Sequence, residues 1–260
     1  MLSIQDLLQL KQNNNYLSEN CQLIQIKDKI LEEIYPFPNG DLMFSRYDAC
    51  DRNTILSIIE AKEYGEIPLE PQYPGSIFDV GSYVGGFVRQ AIKSKQNRSI
   101  IAIEPMLSNV AMVQRNARAI SNKNDNLYLF NVAVGESGHI NIKAHDESES
   151  NPHRYMGNTV PDGESNERVT CLSLEELLIL NELCSQTREI FFMKIDCEGG
   201  EYPLFENATT DQIRNIKYII GEFHGASVEV PDYMFLKHGF ERINETSNPS
   251  AGLFAYKRID

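Results

Sequence analysis

The residues best suited to do chemistry are concentrated in two short segments of the chain. One is KIDCEGGEY, residues 194–202, and the other is EFH, residues 222–224. Carboxylates packed this closely repel one another unless one is protonated, paired with a cation or bound to a metal. Together the two segments supply Asp196, Glu198, Glu201, Glu222 and His224.

Two kinds of chemistry fit this cluster. Asp196, Glu198 or His224 could act as a catalytic base, because carboxylates and imidazoles take protons from reacting hydroxyls. Alternatively, Asp196, Glu222 and His224 have ligand types that suit Mg²⁺ or Mn²⁺. Lys194 precedes Asp196 by two residues on one strand face and is the expected partner that keeps it ionised. Glu201 could simply begin a helix, where negative charge is favourable.

A glycine-rich segment, FDVGSYVGG at residues 78–86, follows an apolar run. Its spacing is G-x-x-x-G-G, which matches neither the dinucleotide fingerprint G-x-G-x-x-G nor a P-loop. Asp79 stands two residues before Gly81, and a carboxylate there suits a cationic or amino-bearing ligand better than a diphosphate. Glycine at this turn lets the backbone approach a ligand closely.

Glu104 ends the next apolar run, SIIAIEP, 23 positions after Gly81. An acid about 20 residues beyond the glycine turn can accept hydrogen bonds from the ribose hydroxyls of an adenosine-containing ligand. S-adenosylmethionine has a ribose diol, a sulfonium cation and an amino acid end, and it carries no phosphate. The two features together therefore favour S-adenosylmethionine as the cofactor.

Regular alternation begins at Ser76 and predicts an α/β fold. Apolar runs of strand type alternate with amphipathic segments, which is typical of a mostly parallel, doubly wound sheet with helices on both faces. Predicted helices include residues 105–120, residues 231–238 and one opened by the capping box of Ser173 and Glu176. Residues 239–259 predict a C-terminal antiparallel hairpin at the sheet edge. The strand-like runs are SIFDVG, SIIAIEP, NLYLFNVAV, EIFFMKIDC and KYIIGEF.

Two regions depart from this alternation. Residues 1–75 predict an N-terminal helical cap, with a helix-like opening, a polar break at KQNNNY, a helical pattern from Leu23 to Ile34 and another helix after residue 50. Residues 139–170 are polar and rich in turn residues, too long for a simple connection, and fit either a lid or a surface excursion. The predicted organisation is therefore a cap at 1–75 and a cofactor-binding domain at 76–260.

The formal net charge of −13 opposes binding to nucleic acid or to anionic lipid, so small molecules are the expected partners. No apolar run of about 18 residues occurs, and the first residues lack the pattern of a signal peptide. The five cysteines are widely spaced without a C-x-x-C pair. Reduced thiols and a cytoplasmic location are the expectation.

Four segments, taken in order, resemble the FkbM family of S-adenosylmethionine-dependent methyltransferases. The resemblance covers about residues 76–225, and KIDCEGGE is its most specific part, since the family typically has K-x-D-x-E-G-x-E there. It implies a class I, Rossmann-like fold. The family usually has alanine and asparagine where this chain has Ser82 and Tyr83. The segments are IFDVGSYVGGF, IIAIEP, NVAVGESG and MKIDCEGGEYPLF.

The resemblance also implies which residues bind the cofactor. Glu104 would bind the ribose with Pro105 on the rim, and residues after the first strand would surround the methionine part. The end of the third strand would flank the adenine. The complete expected set is Asp79, Gly81, Ser82, Tyr83, Gly85, Glu104, Pro105, Asn131, Val132, Ala133 and Asp196.

The expected reaction is O-methylation of a hydroxyl on a sugar or secondary metabolite, as in many members of that family. Arg46, Tyr47, His153, Arg154 and Tyr155 are candidates for contacting this acceptor. An NAD-dependent oxidoreductase and a non-catalytic nucleotide-binding protein are the alternatives. A homo-oligomer is compatible with the sequence.

Overall fold

The computed structural model describes residues 1–20, 31–34, 42–46, 50–60, 62–94, 96–120, 126–144, 157–160, 167–223, 229–244 and 252–260. No helix among these residues is both long enough and apolar enough to cross a membrane. In chain order the elements are α1 (Ile4–Asn20), β1 (Leu31–Ile34), β2 (Met43–Arg46), α2 (Asp51–Ile59), β3 (Ser76–Val80), α3 (Gly86–Lys93), β4 (Ile100–Ile103), α4 (Leu107–Ala119), β5 (Leu127–Phe130), β6 (Ala133–Val134), β7 (Gly138–Ala144), β8 (Gly157–Val160), β9 (Glu167–Leu172), α5 (Leu174–Ser185), β10 (Ile190–Ile195), α6 (Glu201–Glu206), α7 (Thr210–Ile213), β11 (Ile216–Phe223), α8 (Glu229–Phe235), a 3₁₀ turn (Leu236–His238), β12 (Phe240–Arg242) and β13 (Gly252–Arg258).

A seven-stranded sheet forms the centre of the fold, in the order β12-β13-β11-β10-β3-β4-β5. Strands β11, β10, β3, β4 and β5 pair in parallel, and β13 is antiparallel to both of its neighbours. Numbered along the chain, these strands have the spatial order 3-2-1-4-5-7-6. This arrangement confirms the doubly wound, mostly parallel sheet and its C-terminal hairpin. Within this edge, β13 lies between β11 and β12.

The three central strands are buried along their whole length. Every residue of β3, β4 and β10 is buried, which is why these segments read as continuous apolar runs. On one face of the sheet, Phe78 and Met193 share a core with residues of α1 and α5. On the other face, Ala102 packs with residues of α3 and α4. The sheet therefore has helices on both sides, as predicted.

Helix starts and ends follow local chemistry closely. The Ser173 hydroxyl and the Glu176 carboxylate form the predicted capping box that begins α5. The predicted helix at residues 105–120 is α4, and the one at 231–238 is α8 with its 3₁₀ turn, which ends before Gly239. These local sequence features set the ends of helices that connect the strands of the sheet.

A second, four-stranded sheet accounts for much of the polar region at 139–170. Its order is β6-β9-β7-β8, and β7 is antiparallel to both β8 and β9. The predicted strand NLYLFNVAV divides between the two sheets, because β5 belongs to the large one and β6 to the small one. Asn131 and Val132 connect them. The small sheet therefore lies next to the end of β5 in the chain.

The N-terminal region differs from the predicted helical cap in two places. Leu31–Ile34 is a strand that pairs antiparallel with β2, whereas its apolar spacing predicted a helix; the rest of that predicted helix lies outside the described residues. Pairing with a distant segment overrides local spacing. The polar KQNNNY segment lies inside α1 and does not break it. The division into a cap and a main domain stays a prediction.

Candidate active site

The carboxyl ends of β3, β4 and β10 meet at one cavity of about 750 Å³, open to solvent. This is the edge where doubly wound sheets bind ligands, because the flanking loops diverge there. Helix α2 from the N-terminal region closes one side through Thr54 and Ile58. The sequence-predicted residues that line this cavity are Gly81, Ser82, Tyr83, Glu104, Pro105, Asp196 and Glu198.

Gly81 forms the tight turn at the end of β3. Its φ is +77°, and a Cβ atom placed on it would lie 1.8 Å from the backbone oxygen of Asp196. The amides of Gly81 and Ser82 both donate to the Ile103 carbonyl at 3.0 Å. Only glycine allows the β3 turn to approach the β10 turn this closely. Gly85, with φ of +87°, precedes the first residue of α3.

Glu104 is a buried carboxylate at the end of β4. Its Oε2 accepts a hydrogen bond from the Tyr83 amide at 2.8 Å. Its Oε1 accepts one from the Met106 amide at 2.9 Å and one from Asn109 Nδ2 at 3.1 Å. Burial raises the pKa of Glu104 to about 7, although these three donors and Lys194 favour the charged form. Glu104 therefore lies in the cavity wall with a pKa raised toward neutrality.

Lys194 connects the two acidic strand ends. Its Nζ lies 3.3 Å from Asp79 Oδ1 and 3.9 Å from Asp196 Oδ2, and it donates to the Gly81 carbonyl at 2.6 Å. Burial lowers the pKa of Lys194, but Asp79 and Asp196 outweigh this effect and leave it above its ordinary value. The expected pairing with Asp196 is thus present, and the pairing with Asp79 is the closer one.

Asp79 lies behind the cavity rather than in its lining. Its side chain is fully buried, and its Oδ1 lies 3.3 Å from the Lys194 ammonium. Burial raises the pKa of Asp79, and the neighbouring ammonium of Lys194 opposes that rise. Asp79 therefore acts on the cavity through the position and charge of Lys194.

Asp196 faces the cavity and is held by a tyrosine from the N-terminal region. The Tyr64 hydroxyl donates to Asp196 Oδ2 at 2.7 Å, and the Asp196 side chain is 24% exposed. Burial and then the Asp196 charge raise the pKa of Tyr64, so the phenol stays protonated as a donor. The Lys194 ammonium lies 5.2 Å from the centre of the Tyr64 ring. Tyr64 and Lys194 thus both hold the Asp196 carboxylate.

A second cavity, of about 1040 Å³, continues from the first at Gly81 and Pro105. Strand ends including Val132 and Ala133 form its floor, and the small sheet contributes Ile140, Ile142 and Cys171 to its wall. Asn131 does not line either cavity. Its amide donates to the carbonyls of Glu104 and Pro105 at 3.1 and 2.7 Å, which joins the ends of β4 and β5.

The remaining acidic candidates have separate surroundings. Glu198 is exposed at the mouth of both cavities, with a φ of +54°. Glu201 is buried and is the first residue of α6, the helix start that the alternative interpretation expected. Its Oε2 accepts a hydrogen bond from the Gly199 amide at 3.0 Å, which stabilises the preceding turn. Glu222 is half-buried on β11. His224 lies outside the described residues.

No group of three or more histidine, cysteine, aspartate and glutamate side chains that could hold a metal ion occurs in the part of the chain that the structure describes. Of the three expected ligands for Mg²⁺ or Mn²⁺, only Asp196 and Glu222 are described. Asp196 is instead held by Tyr64 and Lys194. The described donor set therefore does not fit a metal centre. All four described cysteines are free, and the reduced state stays a prediction.

The expectation that Arg46 contacts an acceptor is wrong. Arg46 is 2% exposed and makes a bidentate ion pair with Asp51, from Nε to Oδ2 and from Nη2 to Oδ1, both at 2.8 Å. The partner of this arginine lies five residues on, at the start of α2. The other acceptor candidates lie outside the described residues: Tyr47, His153, Arg154 and Tyr155.

Sequence reasoning missed two residues of the site, Tyr64 and Asn109. Tyr64 lies in a turn with no periodic pattern, and its link to Asp196 spans 132 positions. Asn109 lies in the first turn of α4, where polar residues are ordinary. Its contact with Glu104 could have been suggested only by its position, five residues after Glu104 at the end of β4.

A sheet of this order, with a glycine turn after its first strand and an acid after its second, defines the class I methyltransferase fold. The model of the FkbM methyltransferase domain matches residues 79–242, more than half of the chain. The chain therefore belongs to the FkbM methyltransferase domain family, as the sequence resemblance indicated.

The solved structures to which this chain is similar are distant from it in sequence. The methyltransferase FkbM from Methylobacillus flagellatus KT is 15% identical, with a TM-score of 0.44, and the match covers 70% of this chain and 43% of that one. This chain therefore spans less than half the length of that relative. No curated protein matches the sequence.

Two further similar structures contain S-adenosyl-homocysteine. TrmK of M. capricolum is 10% identical with a TM-score of 0.38, and the match covers 71% of this chain and 62% of that one. The N-terminal domain of human METTL16 is also 10% identical with a TM-score of 0.38, and the match covers 100% of this chain and 85% of that one.

Proposed function

We propose that this protein is an S-adenosylmethionine-dependent methyltransferase that methylates a hydroxyl group of a small molecule, such as a sugar or secondary metabolite. The observation that carries the proposal is Glu104, a buried carboxylate in the wall of a cavity directly beside the Gly81 turn. An ionised carboxylate has about four acceptor sites, of which the protein occupies three, so one remains for a ribose hydroxyl.

The remaining chain contacts suit the other parts of such a cofactor. Gly81, Ser82 and Tyr83 line the first cavity beside Glu104, where they would surround the methionine part, with Gly85 behind them. Val132, Ala133 and Pro105 line the second cavity, where they would flank the adenine, and Asn131 supports that wall. Asp79 would act through Lys194. These residues fit the group.

When bound, the cofactor supplies an electrophilic methyl carbon. Asp196 would hold the acceptor hydroxyl in line and take its proton at the carboxylate, a role typically worth about 10²- to 10⁴-fold in rate. Tyr64 and Lys194 fix this carboxylate, and the exposed Glu198 at the cavity mouth would meet the acceptor. His224 stays a candidate base on sequence grounds.

A small acceptor fits the net charge of −13, which disfavours a phosphate backbone. The expected cytoplasmic location and homo-oligomer stay predictions.

A transfer assay with labelled S-adenosylmethionine should offer hydroxylated small molecules, total RNA and DNA as separate acceptors. Label transferred to nucleic acid alone would contradict the small-molecule acceptor while leaving the methyltransferase proposal intact.

Calorimetry tests cofactor choice directly. We expect binding of S-adenosylmethionine and S-adenosylhomocysteine, and no binding of NAD. A 2′,3′-dideoxy analogue of S-adenosylhomocysteine should bind about tenfold or more weakly, because it cannot donate to Glu104. In Glu104→Gln the diol and dideoxy ligands should differ much less. Binding of NAD alone would overturn the assignment in favour of an oxidoreductase.

A further inference from the structure

A buried chain of polar contacts runs from the N-terminal region to the cavity wall. Asp51 pairs with Arg46, and Arg46 Nη1 donates to Asn109 Oδ1 at 2.9 Å. Asn109 Nδ2 in turn donates to Glu104 Oε1 at 3.1 Å. All four side chains are almost completely buried.

The chemistry of arginine sets the direction of these contacts. A guanidinium only donates hydrogen bonds and does not lose its proton in proteins, so the Asn109 carbonyl must face Arg46. The Asn109 amide group must then face Glu104 and can only donate to it. An ionised carboxylate accepts such a bond at either oxygen, whereas a protonated one must keep its hydroxyl away from this donor.

We propose that Asn109, oriented by the buried Arg46–Asp51 pair, is a positioning residue that favours the carboxylate form of Glu104 and fixes its free acceptor site toward the cavity. The ligand-binding part of this inference rests on the proposed function. The electrostatic part concerns the protein alone and is measurable without any ligand.

Several charged groups act on Glu104 from neighbouring elements. Lys194 on β10 favours the charged form, and Arg46 on β2 is linked to Glu104 by its hydrogen bond to Asn109. Asp51 on α2 and Asp79 on β3 offset these cations because each is paired with one of them. Unlike these charged groups, the Asn109 amide is neutral, so a single substitution can remove its contact with Glu104 without changing the surrounding charges.

NMR titration of the ligand-free protein, labelled at glutamate Cδ, provides the test, with Glu104→Gln used to assign the signal. Asn109→Leu should move the Glu104 titration midpoint upward by about one pH unit, because it removes a hydrogen bond to a charged group. Asn109→Asp still accepts from Arg46 and keeps the side-chain shape, but it should raise the Glu104 midpoint more than Asn109→Leu does, because it adds a like charge. Arg46→Lys lacks the planar guanidinium and should raise the Glu104 midpoint less than Asn109→Leu does.

Asn116→Leu is the matched control. Asn116 is equally buried on the same helix and also ties down the N-terminal region, by accepting from the Phe44 amide at 2.7 Å, but it does not touch Glu104. It should lower the melting temperature without moving the Glu104 midpoint. An unchanged midpoint in Asn109→Leu, or an equal shift in Asn116→Leu, would overturn the proposal.

Ligand binding then separates this inference from the proposed function. If Glu104 must be charged to bind the ribose, Asn109→Leu should bind S-adenosylhomocysteine about fivefold more weakly at pH 7 and within twofold of the wild type at pH 9. A weakening of equal size at both pH values would mean a merely structural role for Asn109. If no variant and no wild type binds the ligand, the proposed function fails, while the NMR result still decides the role of Asn109.

Discussion

Replacing Gly81 with alanine tests the packing that brings the β3 and β10 turns together. A Cβ atom at Gly81 would lie 1.8 Å from the Asp196 carbonyl oxygen, far inside the 3.0 Å below which Cβ atoms essentially never approach another atom. The neighbour is backbone, so the two turns must separate by more than about 1 Å. That movement would strain the contact of Lys194 Nζ with the Gly81 carbonyl, now 2.6 Å.

Gly65 is the matched control because it separates the clash from the cost of a positive φ. Its φ is +66°, close to the +77° of Gly81, but a Cβ there has nothing within 4 Å. Alanine in this backbone region costs about 1–2 kcal/mol, partly offset by a stiffer unfolded chain. We therefore expect Gly65→Ala to lose about 1 kcal/mol and Gly81→Ala to lose more than about 4 kcal/mol.

Urea unfolding monitored by circular dichroism measures both free energies of unfolding, and calorimetry measures both melting temperatures. For a chain of this size the melting temperature falls by roughly 2–4 °C per kcal/mol, so Gly81→Ala should melt about 10 °C or more below the wild type. Equal losses in the two variants would refute the reasoning, because they would show that the β3 and β10 turns separate without cost.

Three further predictions concern the buried polar groups of the site. Tyr64→Phe should lose about 1–2 kcal/mol of unfolding free energy in urea, because it removes the bond to Asp196 and leaves the ring in place; a loss below about 0.3 kcal/mol would contradict that bond. Arg46→Met should lose about 3–5 kcal/mol, because it leaves Asp51 buried without its cation, and the double variant with Asp51→Leu should recover part of that loss; no recovery would argue against a buried pair. Burial holds the pKa of Glu104 at about 7, above its ordinary 4.5, so the folded state binds the extra proton between these values. Raising the pH from 4.5 to above 7 should therefore destabilise the wild type relative to Glu104→Gln by about 3 kcal/mol, and parallel stability curves would contradict the shift.

The parallel sheet could be predicted from sequence because its central strands are buried on both faces. Burial imposes an apolar run at β3, β4 and β10, and the ends of such runs carry the site acids. The sequence therefore placed Glu104 and Asp196 at strand ends, and the structure puts both in the lining of the first cavity. The capping box at Ser173 was readable because all its contacts lie within three residues.

The missed features depend on partners far away in the sequence. Strand β1 exists through pairing with β2, although its own apolar spacing favours a helix. Tyr64 and Arg46 have ordinary local sequence, and only the folded chain places one against Asp196 and the other against Asn109. Strands β7 and β8 were hidden for the same reason, because polar antiparallel strands need each other to be recognised.

The insertion of β13 between β11 and β12 has a consequence for synthesis of the chain. β12 emerges from the ribosome before β13, yet within the described sheet it is attached to β11 only through β13. A nascent or truncated chain that stops before Gly252 would leave the hydrogen-bonding edge of β11 bare, and such an edge invites pairing with other chains.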